Sequence, residues 1–379
     1  MRQSALACLA IALLVSGLSS SLNAEIREAE VHIRAVLDLS YGMNANFPDN
    51  HIFRGKQTTP RTNEVAPNLG LISIRREATS ENRWGIDLGF QGGYDTDGLV
   101  PDDREKPMPG ADVLRHVGQA NITYLAPIGK GLSISAGLMK GFINFESFYA
   151  VNNFNYTRSF VTDYSPNFIL GVGSRYPITE NIDVGFHVLN GFQHLAHANG
   201  LPSYGAELDW RIARRWVVAQ NVYYGPDQGD TSIRYWRAFS DTQLQWRGED
   251  WTVVVVFDIG TERIADQASA PRTFWTGAAL FTRWEVRGPW SLAVRPEFFW
   301  DRNGRMTGAE QLIWAVTSTL EYKRNWGGHA GIIRLEHRFD RSTGADGGFF
   351  RGSVIGDGQP ALVPNQQMIL LSLLWAFDS

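Results

Sequence analysis

The amino-acid sequence predicts an all-β protein: a transmembrane antiparallel up-and-down β-barrel of about 16 strands, within a range of about 14 to 18. Three observations carry this prediction. Segments with an apolar residue at every second position recur along the chain. Most of them are long enough for a tilted membrane strand, which needs roughly nine to eleven residues. The connections between them alternate between short and long.

The first segment differs from all the others. Arg2 is followed by an apolar stretch, residues 5–18, then by serine-rich sequence and Ala24. This order is typical of a secretory signal peptide, so we expect residues 1–24 to be a cleaved leader and residues 25–379 to form one barrel domain. The single cysteine, Cys8, lies in the leader, which leaves no thiol or disulfide chemistry to the exported chain.

After the leader, no apolar run approaches the roughly 18 residues of a membrane helix. Alternation with a period of two begins instead. In the first strand Leu37, Leu39 and Tyr41 share one face, and Arg34 and Asp38 share the other. The same criterion places strands at 31–41, 67–77, 84–94, 115–125, 131–141, 167–176, 182–192, 203–212, 216–225, 234–247, 250–260, 274–286, 290–301, 311–323, 328–340 and 366–377.

The connections give the topology. Every second link is short, for example 177–181 and 287–289, whereas the intervening links at 42–66, 142–166 and 341–365 are long. Short periplasmic turns and long outer loops are typical of bacterial outer-membrane barrels. This order places both chain termini on the periplasmic side.

Tryptophan placement separates a membrane barrel from a soluble β-sandwich, whose strands also alternate but are usually shorter. Seven tryptophans lie beside short turns, where they would form an aromatic girdle at the periplasmic interface. The alternative is that they are core tryptophans of a soluble protein. These residues are Trp84, Trp210, Trp216, Trp246, Trp251, Trp290 and Trp326.

The last strand, 366–377, decides how the sheet closes. Its outer face carries Leu371, Leu373 and Phe377. Unpaired backbone groups beside such side chains would aggregate in water and would be costly in lipid. We therefore expect this strand to pair antiparallel with strand 31–41 and close the barrel.

Charged residues indicate which face of each strand points inward, because an Arg or Lys facing lipid near the midplane costs about 2 to 4 kcal/mol. In this register the acidic residues slightly outnumber the basic ones, which predicts at most a weak preference for cations. The same side chains could instead form structural ion pairs that stiffen the wall. The expected pore-lining residues are Arg34, Asp38, Asp87, Glu207, Asp209, Arg211, Arg283, Glu285, Arg295, Glu297, Arg334, Glu336, Arg338 and Asp340.

The third long loop, 142–166, is unusually rich in aromatic residues, so it is expected to pack against other parts of the protein. One interpretation is that it folds into the lumen and narrows the pore; the other is that it packs on neighbouring outer loops. In the first case Glu146, Asn153, Asn155 and Arg158 would form the constriction.

Other function classes find little support. The charge is nearly balanced, with 35 basic and 39 acidic residues, which argues against a nucleic-acid partner. No Gly-x-Ser-x-Gly elbow is present, so we expect no enzyme and no catalytic residues, although a triad built across strands would not show in the sequence. Asp95 and Asp97, with Asp102 and Asp103, lack the spacing of a calcium loop. We therefore predict no metal and no cofactor, and scattered His187, His194 and His197 do not change this.

Two charged segments resemble paired signatures of a bacterial family. They are Arg295-Pro296-Glu297-Phe298-Phe299-Trp300-Asp301 and Arg334-Leu335-Glu336-His337-Arg338-Phe339-Asp340-Arg341-Ser342. With Asn153-Phe154-Asn155-Tyr156-Thr157-Arg158-Ser159, they resemble the OmpL-like β-barrel porins. This resemblance spans about residues 31–377 and implies an outer-membrane barrel with pore activity.

The resulting expectation is a porin-like channel for passive diffusion of small hydrophilic solutes or ions across the bacterial outer membrane. Its partners would be outer-membrane lipid, these solutes and, by resemblance, the barrel-assembly machinery, which would recognise the terminal strand with Phe377. Monomer and homo-oligomer both remain open. The alternatives are an adhesin that acts through its long loops and a barrel lipid hydrolase with a serine and a histidine on its outer wall.

Overall fold

The structure, a computed structural model, describes residues 31–99, 111–192, 200–228, 231–265, 271–355 and 358–379. The leader expected at residues 1–24 lies outside this part. The strands are β1 (Val31–Asn44), β2 (Val65–Arg76), β3 (Trp84–Gly92), β4 (Val117–Ala126), β5 (Leu132–Lys140), β6 (Phe168–Pro177), β7 (Ile182–Leu189), β8 (Ser203–Ala213), β9 (Trp216–Pro226), β10 (Trp236–Arg247), β11 (Trp251–Glu262), β12 (Thr273–Arg287), β13 (Trp290–Asp301), β14 (Gln311–Trp326), β15 (His329–Ser342), β16 (Phe349–Ile355), β17 (Gln359–Val363) and β18 (Asn365–Asp378).

Within the described residues, sixteen of these strands form one closed barrel. From β1 to β15, each strand pairs antiparallel with its neighbours along the chain, and β18 pairs with β15 on one side and β1 on the other. All sixteen strands predicted from alternation are present, with boundaries that differ by a few residues. The predicted fold class is therefore confirmed.

The terminal strand closes the barrel as predicted. Leu37 lies opposite Trp375, and Tyr41 lies opposite Leu371. The backbone groups of β18 are thus paired on both sides, so the barrel leaves no edge strand in lipid.

One described sheet was not predicted. The last loop, residues 343–364, contains the hairpin of β16 and β17, which forms a separate two-stranded sheet. Phe349 pairs with Val363, but the register then shifts beyond Arg351. Gly352 at φ 63° and Gly358 at φ 90° interrupt the alternating pattern from which strands were predicted.

The two faces of each barrel strand differ in exposure as the alternation requires. On β15, Leu335 is 51% exposed and points out, while Arg334 and Glu336 on either side of it are buried inside. The predicted girdle tryptophans beside short turns are exposed on the outer face, except Trp246, which is half-buried. Trp251 stacks on Trp284 across neighbouring strands, with ring centroids 5.4 Å apart.

The short connections are tight. Gly327 and Gly328 join β14 to β15 with φ of 51° and 81°, the backbone that a two-residue hairpin turn of right-handed twist requires. The described helices are short: α1 (Ala111–Leu114), α2 (Phe160–Asp163) and three 3₁₀ segments. In the described part of the chain, no helix has the length and apolarity needed to cross a membrane.

The lipid-facing role of β18 predicts a depth-dependent penalty. Leu371→Arg places a charge near the middle of the strand, between Tyr41 and Leu335. We expect it to lower the free energy of unfolding by about 2 to 4 kcal/mol, measured by reversible folding into lipid bilayers. Asn365→Arg, at the outer end of the same strand, is the control and should cost about 0 to 1 kcal/mol. Equal effects of the two substitutions would contradict this orientation.

Candidate solute pathway inside the barrel

The third long loop, named loop 3 (residues 141–167), connects β5 to β6 and lies inside the barrel. It contacts inward-facing side chains of three strands. Arg295 Nη1 on β13 lies 2.8 Å from Glu146 Oε1, and Arg334 Nη2 on β15 donates to the carbonyl oxygen of Asn153 at 2.6 Å. The Tyr156 hydroxyl donates to Asp38 on β1 at 2.6 Å. Because these strands surround the lumen, loop 3 crosses its interior.

Wall arginines bind both side chains and backbone of loop 3. Arg295 also donates to the carbonyl oxygen of Thr157 at 2.7 Å and lies 3.3 Å from Glu297. Arg338 donates to the carbonyl oxygen of Arg158 at 3.2 Å. Several donors in a fixed planar group suit arginine to this bridging position.

Wall carboxylates complete the attachment by accepting from backbone N–H groups of loop 3. Glu336 accepts from Tyr156 at 2.6 Å and from Thr157 at 3.0 Å, and Glu297 accepts from Phe160 at 2.6 Å. Hydrogen bonds to an ionised acceptor are roughly twice as strong as neutral ones. The wall therefore holds the loop through its backbone as well as its side chains.

Two other loops meet loop 3: loop 1, which connects β1 to β2 (residues 45–64), and loop 2, which connects β3 to β4 (residues 93–116). Lys56 of loop 1 contacts Asp163 and donates to the carbonyl oxygen of Arg158. Arg158 in turn donates to Asp95 of loop 2 at 2.9 Å. Burial lowers the pKa of Lys56 below its ordinary value, and the neighbouring carboxylate of Asp163 offsets only part of this shift.

Apolar contacts support the same arrangement. Phe160 and Tyr164, in and beside α2, pack against Phe299 of β13, with the Tyr164 and Phe299 rings 4.9 Å apart. The Tyr164 hydroxyl donates to the carbonyl oxygen of Gly55 in loop 1 at 2.9 Å. Gly55 has φ 78°, a conformation that favours glycine.

The structure divides the fourteen wall residues singled out from the sequence into two groups. The first group is buried beneath the loops, with exposed fractions of 0 to 4%; it comprises Asp38, Arg295, Glu297, Arg334, Glu336, Arg338 and Asp340. The second group keeps contact with solvent and comprises Arg34, Asp87, Glu207, Asp209, Arg211, Arg283 and Glu285. The four loop residues Glu146, Asn153, Asn155 and Arg158 are buried among the first group.

The chain matches a known protein family in sequence and known barrels in fold. Residues 30–377 match the family described as "Putative beta-barrel porin-2, OmpL-like". The chain belongs to this family. Membership confirms the resemblance seen in the charged segments, and no curated protein matches the chain.

Several solved structures share the fold of this chain. The outer-membrane channel DcaP of Acinetobacter baumannii matches with a TM-score of 0.58 at 7% identity, over 92% of this chain and 97% of that one. An anion-selective porin from Comamonas acidovorans matches with a TM-score of 0.58 at 8% identity, over 92% and 99%. The trimer form of OmpT from Vibrio cholerae matches with a TM-score of 0.53 at 9% identity, over 92% and 99%. The family and these structures indicate an outer-membrane barrel.

Several accessible charges of the barrel were not predicted from the sequence. Arg75 and Lys140 line a cavity of about 240 Å³ with Arg34, Asp87 and Tyr149. Lys140 follows Gly137, whose φ of 123° interrupts regular strand geometry, so alternation counted from the start of β5 does not show that it lines this cavity. The Tyr149 ring, whose centroid lies 5.8 Å from Lys140 Nζ, belongs to loop 3. The alternating strand pattern therefore could not predict its position.

A second set of missed charges lies near the periplasmic ends of β6 and β7. Arg175 contacts Asp209, and it lies 3.3 Å from Glu207 and 3.6 Å from Asp183. The strand pattern could have predicted that Arg175 points inward, since Ser174 and Tyr176 on either side belong to the opposite face.

The other residues considered as metal ligands or catalytic groups do not come together in one site in the described part of the chain. Asp95 binds Arg158 and Asp97 binds Arg115, while Asp102, Asp103, His194 and His197 lie outside the described residues. His187 stacks on Phe142 at 4.2 Å.

The outer wall carries one serine–histidine pair of interest for the hydrolase alternative. Ser318 and His337 are cross-strand partners. Their outward neighbours along the two strands include Val316, Leu320 and Leu335, none of which is acidic. A serine nucleophile needs a base that a third group orients, and these neighbours do not supply one.

The buried contacts predict a stability cost. Arg295→Met removes the cation between Glu146 and Glu297, which both stay buried. Removing one partner of a buried ion pair typically costs about 3 to 5 kcal/mol, and we expect a loss in this range in the free energy of unfolding. Adding Glu146→Gln should recover part of the loss, because the loop then carries no unpaired charge.

The matched control is Arg215→Met, since Arg215 and Glu249 form an exposed pair at 3.5 Å. Exposed pairs contribute about 0 to 1 kcal/mol. If Arg295→Met destabilised the barrel no more than Arg215→Met, the attachment of loop 3 would not depend on this arginine.

Proposed function

We propose that this protein is a non-enzymatic outer-membrane porin that lets small hydrophilic solutes or ions diffuse passively, with loop 3 as its constriction. The observation that carries the proposal is the position of loop 3 across the lumen, bound to Asp38, Arg295 and Arg334 of the wall. A polar lumen narrowed by a loop can select solutes by size without binding energy or chemistry.

In this proposal the two groups of wall charges have different tasks. The buried group, with Glu146, Asn153, Asn155 and Arg158, fixes the shape of the constriction. The accessible group, extended by Arg75, Lys140, Arg175 and Asp183, meets the solute. Because the accessible charges have both signs and several are paired with one another, we propose a weak ion preference.

The constriction is tested by removing it. Deleting residues 146–159 should raise the single-channel conductance in planar bilayers, because it takes the loop segment out of the lumen. The deletion also removes a partner from Arg295 and Arg334. Folding is therefore checked by the difference in gel migration between heated and unheated samples, which distinguishes a folded barrel from an unfolded chain. The control Arg351→Ala, at an exposed position of β16, should leave conductance within about twofold of the parent, since β16 is not part of the barrel sheet. A folded deletion variant with the parent's conductance would rule out a constriction by loop 3.

Ion preference is tested by reversal potentials under a KCl gradient. We expect a small potential for the parent protein and a shift toward cations for Arg75→Glu combined with Lys140→Glu, since both side chains line the same cavity. Lys130→Glu, in the periplasmic turn before β5, is the control and should shift the potential less. A strongly anion- or cation-selective parent would contradict the proposed balance.

Localisation and assembly complete the proposal. Residues 1–24 would be removed as a signal peptide, which N-terminal sequencing of the protein from outer-membrane fractions would test. One similar structure is a trimer form, and we propose a homo-oligomer here as well, to be measured by native mass spectrometry. An adhesin acting through its loops would instead bind a ligand without conductance, so planar-bilayer recording separates the two functions.

A further inference from the structure

Two buried carboxyl groups stand apart from the other acids of the wall. Asp241 on β10 and Asp258 on β11 are cross-strand partners and face the lumen side by side. Their exposed fractions are 0% and 1%. As directly opposed residues of neighbouring strands, they bring their side chains close together.

Neither carboxyl has a basic partner among the described residues. The donors to Asp241 are neutral amides, Asn221 Nδ2 at 2.7 Å and Gln243 Nε2 at 2.8 Å. On the other side, Asp258 is flanked on β12 by Gly277, and its polar neighbour is Ser165 Oγ at 3.4 Å. The elements packed against the pair, β9, β12 and loop 3, therefore bring neutral groups to it.

Two other buried acids of the wall are each paired with arginines. Glu297 lies beside Arg295 and Arg338, and Glu321 lies beside Arg334 and Arg283. Two carboxylates in contact in a site that excludes water cannot both remain ionised, and such pairs hold one proton between them. Consistent with this, Asp241 Oδ2 and Asp258 Oδ1 meet no other donor in the described structure.

The carboxyl pair lies where both ends of loop 3 leave the wall. Asn144, at the start of the loop, brings its backbone N–H close to Asp241, and Ser165, near its end, contacts Asp258 at 3.4 Å. Asn144 has φ 105°, a conformation that non-glycine residues rarely adopt without support from their surroundings. The pair thus contacts both roots of the loop, and one of them is held in a strained backbone.

We propose that Asp241 and Asp258 share one proton and form a pH-sensitive latch on the two roots of loop 3. With the proton present, the pair carries one negative charge and its carboxyls hydrogen-bond each other. When the proton leaves to solvent at alkaline pH, the pair carries two negative charges and no base is near to balance them. The carboxylates then repel and move apart, and the two roots of loop 3 move with the carboxylates that Asn144 and Ser165 contact.

The shared proton can be measured without reference to transport. Infrared difference spectra of the reconstituted full-length barrel at neutral pH should contain the carbonyl stretch of a buried protonated carboxyl, which disappears on titration to alkaline pH. Asp258→Asn and Asp241→Asn should each remove this band, because an amide then donates to the remaining carboxylate. Glu249→Gln, at an exposed acid in the turn between β10 and β11, should leave it in place. A folded parent without the band, or a band that survives both Asn variants, overturns the latch.

The effect on loop 3 rests on the proposed function and is measured as conductance. We expect the single-channel conductance of the parent to rise severalfold as pH is raised through the loss of the infrared band. Asp258→Asn keeps a neutral donor between the strands and should hold conductance constant over that range, whereas Glu249→Gln should follow the parent.

The two proposals fail separately. A band that titrates in a barrel showing no conductance at any pH would refute the porin function and leave the shared proton standing. Conductance that is independent of pH in the parent, while the band titrates normally, would refute the link between the carboxyl pair and loop 3. Where one Asn variant folds poorly, the other carries the same test, since each preserves the shape of the side chain it replaces.

Discussion

The rest of this structure depends on how charged side chains are satisfied on the inner wall of a barrel whose lumen is partly filled by its own loops. An Arg or Lys that faced lipid near the midplane would destabilise the barrel, so the alternating strands place their charged side chains on the inner face. Once loop 3 covers them, each buried charge needs a partner or it becomes costly. Arg295 shows the result, since it joins Glu146 of the loop to Glu297 of the wall.

This constraint couples elements that are remote in sequence. Lys56 from loop 1 reaches Asp163 of loop 3, and Arg158 of loop 3 reaches Asp95 of loop 2. A displacement of loop 3 would leave buried charges unpaired in both other loops. Any movement of loop 3 is therefore coupled to loops 1 and 2, and its position is set by the barrel and the loops together.

Most of the barrel could be predicted from the sequence because alternation is a local signal, repeated in every strand. Arg334 and Leu335 on β15 already showed which face would be buried. What alternation could not supply was the depth of burial: Arg338 and Arg211 both point inward, yet one is covered by loop 3 and the other reaches solvent. Lys140 was missed because Gly137 disturbs its strand. Such differences come from packing between residues that are far apart in the chain, and this packing produces no periodic pattern in the sequence.

A count of inward charges is consequently a poor guide to selectivity in this barrel. Charges such as Arg338 and Asp340 lie 2.8 Å apart and are fully buried, so their opposite fields largely cancel at any distance from which a solute could sense them. Accessible residues such as Arg75 and Lys140 act through water at short range and set the potential near the cavity they line. The sign of the ion preference therefore depends on which charges loop 3 leaves uncovered. A change in the position of the loop would alter selectivity as well as pore size, with no change in the composition of the wall.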